Sequence, residues 1–158
     1  MIFMIVEEGL PAAGSLVYRA AEYSFATQPR PPSSGASLTI NEIELMLGAE
    51  DRQQALFVEG YCPFQSWNKA VLRPPRARRG ILRGELTGPV MPGVAIAVSS
   101  KDIRWPVHVD PETGWVRLGA GKPELDPAGV AFAPGAIAVL ECDQLLALWL
   151  RPERLPRL

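Results

Sequence analysis

The chain has one histidine, His108, and two cysteines, Cys62 and Cys142, among 158 residues. That scarcity removes most of the usual catalytic and metal-binding constellations. There is no CxxC pair and no histidine cluster beside either cysteine, so neither a zinc site nor a dithiol redox motif is supported. No GxGxxG or GxxxxGK[ST] occurs, which leaves no glycine-rich phosphate loop. The carboxylates are scattered, without the spacing of a calcium loop or the paired acids of a glycosidase. No apolar run approaches the ~20 residues that span a bilayer as a helix. The opening MIFMIVEEG has no basic segment and meets Glu7 and Glu8 at once, so it reads poorly as a secretory signal. The expectation is a soluble, cytoplasmic protein with reduced thiols, no membrane segment, no metal and no cofactor.

What the chain has in quantity is proline and glycine, 16 and 14 residues. They cut it into short pieces, which suits strands and turns better than long helices. Hydrophobic residues make up 47%, enough for a packed core. The reading is a single β-rich domain over residues 1–158. Pro-rich loops fall near 28–37 and 73–79, and Pro152 and Pro156 leave 151–158 irregular. The fold class is mainly β, with consecutive antiparallel hairpins forming a barrel or two-layer sandwich and one or two short helices. The alternative is α+β, with helices at 15–27 and 40–47 packed on the C-terminal sheet.

Several segments carry this reading. Ile2 to Val6 reads as a buried strand. In 15–27, Leu16, Val17, Ala20, Ala21 and Phe25 recur at helical spacing, which favours one short helix. In 38–47, Thr39 and Glu42 match a capping box, but Ile43, Leu45 and Leu47 alternate with polar residues. A strand is favoured there, returning beside Ala55 to Val58 through 48–54. Trp67 to Leu72 and Gly80 to Leu86 are further strand candidates. Ile103 to Val109 and Trp115 to Leu118 flank Asp110-Pro111-Glu112-Thr113-Gly114, a strong hairpin signal. A five-residue loop sets Val109 opposite Trp115, Val107 opposite Arg117 and His108 opposite Val116. Val130 to Phe132, Ala136 to Leu140 and Leu145 to Leu150 read as the last strands, with LLALWLRP at a sheet edge. A weak repeat, Pro92-Gly93 before Ala95–Val98 and Pro134-Gly135 before Ala136–Val139, each with an Asp four residues on (Asp102, Asp143), reads as two buried strands with similar needs.

The chemistry-bearing residues are few. His108 shares a strand face with Arg104 and Pro106 in this reading, but no Ser or Cys stands in a nucleophile elbow to be served. Cys62 and Cys142 have no local feature that lowers a thiol pKa, and read as structural. Trp105 and Trp115 fall on one sheet face in the five-residue register, so they line a ligand pocket or join the core.

Charge is unevenly spread. Residues 1–60 hold eight acids and three bases, and residues 61–105 hold two acids and eight bases. Either the two segments pair across the fold, or a basic face meets an acidic partner. Arg73, Arg76, Arg78, Arg79 and Arg83 form the basic run. It lacks interleaved aromatics, so nucleic acid is disfavoured as a partner. The favoured function is a non-enzymatic binding or protein-interaction module. Its partner-binding residues are Arg73, Arg76, Arg78, Arg79, Arg83, Trp105 and Trp115, and its partner is an acidic protein surface or a second copy of the chain. A small ligand between the tryptophans, a small enzyme built around His108 and Arg104, and nucleic-acid binding through Arg73–Arg83 are the alternatives.

Overall fold

The computed structural model describes residues 2–32, 35–48, 53–86, 93–98 and 103–158. In chain order the strands are β1 (Ile2–Glu7), β2 (Ser15–Arg19), β3 (Ser24–Gln28), β4 (Ser37–Ile40), β5 (Ile43–Leu47), β6 (Ala55–Tyr61), β7 (Asn68–Lys69) and β8 (Ala77–Arg79). They continue as β9 (Ile81–Leu86), β10 (Ala95–Ala97), β11 (Val107–Val109), β12 (Val116–Gly119), β13 (Gly129–Ala133), β14 (Ala136–Glu141) and β15 (Gln144–Leu150). The helical residues described are single 3-10 turns at Ala20–Glu22, Phe64–Ser66 and Pro123–Leu125.

The protein is mainly β, and of the two expected forms it is the sandwich. A six-stranded sheet, ordered β10-β4-β5-β6-β3-β2, faces a seven-stranded sheet, ordered β7-β11-β12-β15-β14-β13-β8. A two-stranded ribbon of β1 and β9 touches both, with β9 against β6 and β13 and β1 against β15. One core joins all three, with Leu38, Ile43 and Leu45 from one sheet, Val116, Leu118 and Leu148 from the other, and Met4 and Leu82 from the ribbon. Full burial of each large aliphatic side chain contributes about 1.5–3 kcal/mol.

Cross-strand register explains the two faces of the seven-stranded sheet. One row runs Val107, Leu118, Leu148, Ala138, Val130 and Arg78, and its apolar members point into the main core. The adjacent row runs Asn68, His108, Arg117, Trp149, Ile137, Ala131 and Arg79 on the outer face. There a second cluster of Leu72, Ile137, Val139, Ala147 and Trp149 is buried. β14 and β15 are therefore covered on both faces, which is why their sequences are almost continuously apolar.

Several expectations are corrected. Residues 15–27 form β2, a 3-10 turn and β3, not a helix, and this also removes the α+β alternative. Tyr23 takes φ 52° and turns the chain. The helix-like spacing arose because Leu16 and Phe25 are core residues of two different strands. Residues 38–47 are strand, as favoured, but form a hairpin turning at Asn41 and Glu42 rather than one run. β5 then pairs with β6 as expected; residues 49–52 between them lie outside the described set.

The Asp110 hairpin is one step out of the expected register. Val109 pairs with Val116, His108 with Arg117 and Val107 with Leu118. The Asp110 N–H donates to the Trp115 carbonyl (2.9 Å), so Asp110 and Trp115 belong to the turn. The strand there begins at Val107 rather than Ile103, which leaves Arg104 outside it. Trp67–Leu72 contributes only Asn68–Lys69.

Not every neighbour is a hairpin partner. β10 on β4, β11 on β7 and β13 on β8 are parallel pairs. β15 is not an edge, since it lies between β12 and β14 with Leu148, Trp149 and Leu150 fully buried. The two AIAV stretches also differ, because Ala95 and Ala97 are exposed whereas Ala136 to Val139 are buried. Pro92 and Asp102 of the first copy lie outside the described residues.

Candidate functional site

Pro74 and Pro75 fix the approach to the basic segment, and both ends of it are tied down. The Leu72 N–H donates to Asp110 Oδ2 (2.9 Å), and the Ala70 N–H donates to the Val109 carbonyl (2.9 Å). Downstream, the Gly129 N–H donates to the Arg76 carbonyl (2.8 Å), and the Gly80 N–H donates to the Ala131 carbonyl (3.2 Å). Residues 77–79, expected in a loop, are thus an edge strand of the seven-stranded sheet.

The arginines divide by this geometry. Arg73, Arg76, Arg78 and Arg79 are exposed and make no ion pair among the described residues. Arg83, expected to bind the partner with them, is instead tied within the protein. It lies on β9 and its Nε donates to Glu7 Oε2 at 2.8 Å. Arg104 likewise forks onto Glu42, with Nη2 2.7 Å from Oε2. These two pairs join the basic middle of the chain to its acidic first third. The four unpaired arginines are the surplus.

Arg76 and Arg78 are among the residues lining a cleft of about 550 Å³ between β1 and the β8-β13-β14 edge. Val6, Val130, Ala138 and Leu140 supply its larger apolar lining, and Ala77, Ala128 and Gly129 the rest. Space exists there because the inward row of the sheet ends in a small residue, Ala138, then Val130, then Arg78 at the edge. Guanidinium groups beside an apolar lining suit a carboxylate or phosphate attached to an apolar body.

The other proposed site residues do not converge here. Trp105 is core, and its backbone is bracketed by Asn41, which donates through Nδ2 to the Trp105 carbonyl (2.9 Å) and accepts from the Trp105 N–H (3.0 Å). Trp115 is on the outer face, edge-on to Trp149 with ring centroids 6.2 Å apart, and Arg151 lies 5.9 Å over its ring. They do not form a shared pocket; the one-residue shift in register separates them. His108 faces outward in register with Arg117, and its buried Nδ1 has no hydrogen-bond partner among the described residues. Arg104 is committed to Glu42.

Cys62 is buried and Cys142 exposed, and both are free thiols. Burial pushes the Cys62 thiol up to about 11, against a hydrogen bond from Trp67 Nε1 (3.3 Å) that acts the other way. That is the opposite of what a thiolate nucleophile needs. Tyr18, whose hydroxyl donates to the Cys62 carbonyl (2.7 Å), is pushed up to about 12, chiefly by burial.

One polar cluster was not expected at all. Arg117 donates from Nε and Nη2 to both oxygens of Asp126 (2.8 and 2.7 Å), and Trp149 Nε1 donates to Asp126 Oδ2 (2.7 Å). Arg117 also reaches the carbonyls of Gly119, Ala120 and Gly121. Every donor of the guanidinium is used inside the protein, so the cluster fastens the 119–128 segment onto the outer face and is not open to a ligand. No protein-family model, no curated protein and no solved structure matches this chain.

Proposed function

We propose that the protein is a non-enzymatic binding module that captures an acidic, partly apolar segment of a partner protein in the cleft between β1 and the β8-β13-β14 edge. One observation carries the reading. Arg76 and Arg78 stand unpaired, among the described residues, in the lining of a 550 Å³ cleft that also holds Val6, Val130, Ala138 and Leu140. Arginine pairs with carboxylates through a rigid fork, and an apolar side chain seated below excludes water from that pair. Arg73 and Arg79 extend the positive charge and steer the approach of an anionic partner.

Fluorescence anisotropy with a labelled peptide of alternating glutamate and valine tests the reading. Saturable binding is expected to wild type, falling by about tenfold or more in Arg76→Ala/Arg78→Ala. It is expected to persist in Arg151→Ala, whose guanidinium lies over Trp115 instead. Absence of binding to wild type overturns the proposal. So does tighter retention of single-stranded or duplex DNA with a steep log-linear salt dependence, which assigns the arginines to phosphates. Sedimentation of the peptide-free protein that shows a dimer abolished by the same double substitution also overturns it, and assigns the arginines to a second copy.

A further inference from the structure

Resting on the cleft reading above, we infer that the partner segment binds by adding a strand to the open side of β8, so that main-chain hydrogen bonds and the arginines act together. β8 is the terminal strand of its sheet, and Ala77, Arg78 and Arg79 are all exposed. In a parallel ladder, alternate residues of an edge strand direct their N–H and C=O at the neighbour, and those between direct theirs away. The Arg76 carbonyl and the Gly80 N–H are both used by β13. Arg78, two residues from each, shares that in-plane direction. The N–H and C=O of Ala77 and Arg79 therefore point out of the sheet.

The side chains reinforce the same geometry. Arg78 shares the inward face with Val130 and Ala138, on the cleft side, while Arg79 shares the outward face with Ala131 and Ile137. An extended segment laid beside β8 alternates its own side chains between these faces. One set lies beside Arg78 on the cleft side and the other beside Arg79 on the outer side, each about one strand spacing of 4.8 Å away and within the reach of a guanidinium. Exposed edges are commonly blunted by proline, charge or a covering segment. Here β8 has charge of one sign only, which repels a second basic edge and admits an acidic strand. The edge of β2 shows the contrast, since the Glu153 N–H of the C-terminal segment donates to the Leu16 carbonyl (3.0 Å) and covers it. Strand addition gives affinity through the main chain and selectivity through alternate side chains, which suits recognition of acidic, extended segments in general.

The test uses two N-methylated forms of the alternating glutamate–valine peptide, one methylated at every glutamate nitrogen and one at every valine nitrogen. Their charge and composition are equal. Because side-chain face and amide direction alternate together along a strand, only one of the two sets faces β8. One form is expected to lose about tenfold or more in affinity, and the other to stay within about twofold of the parent. Ala77→Pro supplies an independent arm: it removes an outward N–H without touching the β13 ladder, so it is expected to melt near wild type and to bind the parent peptide about tenfold more weakly. Equal affinity of the two methylated forms, with dependence on Arg76 and Arg78 retained, overturns strand addition and leaves the cleft reading standing. Absence of binding by the unmethylated peptide overturns both.

Discussion

Arg117 and Asp126 form a two-point ion pair with side chains 0% and 2% exposed, and Trp149 completes it by donating to the same carboxylate. A buried pair of this kind is costly to break, because the survivor is left charged in a place water does not reach. Asp126→Ala is expected to lower unfolding free energy by about 3–5 kcal/mol. The joint replacement Arg117→Met/Asp126→Leu is expected to cost less than either single change, since no unpaired charge remains. Urea denaturation of Arg117→Met, Asp126→Leu and the joint variant checks this. Additive losses contradict the pair as described.

The two thiols are expected to react very differently. Cys142 is exposed in the β14–β15 turn, whereas Cys62 is buried and held protonated to about 11. Native alkylation near pH 8, read by mass spectrometry, should modify Cys142 and spare Cys62 until the protein is unfolded. A second consequence follows from the raised value. The unfolded thiol ionises from its ordinary 9.0 while the folded thiol stays neutral, so the stability this residue contributes falls as pH rises from about 9 towards 11. Cys62→Ser is expected to flatten that slope. Equal labelling of both thiols contradicts the account.

Asp110 accepts from the backbone N–H groups of Leu72, Glu112 and Thr113, and these bonds hold its carboxyl below the ordinary 3.8, the Leu72 bond foremost. With a depressed folded value, its contribution is fully present above 3.8 and is lost as pH falls through the folded pKa. Asp110→Asn is expected to weaken the protein at neutral pH and to remove part of the acid loss seen in wild type. Denaturation curves across the acid range decide it; parallel pH profiles for the two proteins contradict it.

Gly135 turns β13 into β14 at φ 68°, and a Cβ there would stand 2.5 Å from the Arg151 carbonyl oxygen. That carbonyl belongs to the segment whose Arg151 N–H donates back to Gly135 (2.7 Å). Gly135→Ala is therefore expected to cost at least about 1–2 kcal/mol, from backbone strain together with displacement of the C-terminal segment. A melting temperature equal to that of wild type contradicts the close approach.

The sequence makes β13, β14 and β15 legible because long apolar runs are punctuated at Pro134-Gly135 and at Cys142-Asp143. Pairing beyond the next hairpin is another matter. The parallel neighbours β8 and β13 lie some fifty residues apart and share no local pattern, so the edge made by Ala77–Arg79 cannot be read from composition. The Asp110 hairpin shows how one bond decides a site. Asp110 caps its own turn, the register shifts by one, and Trp115 moves to the opposite face from Trp105. Arg76 and Arg78 stood out as a charge run, but Val6, Val130 and Leu140 are ordinary core-type residues, and nothing local signals that they wall a cleft. Asp126 was invisible for the same reason, since its partners Arg117 and Trp149 come from separate strands.

The most direct test of the cleft reading is residue-resolved mapping of the bound peptide by amide chemical shifts in an isotopically labelled protein. Titration with the unmethylated glutamate–valine peptide is expected to move the resonances of Val6, Ala77–Arg79, Ala128–Val130 and Leu140 together, with a single saturation curve. Tyr23, Tyr61 and the Arg117–Asp126 cluster should stay still. Shifts confined to surfaces away from β8, or none at saturating peptide, contradict it.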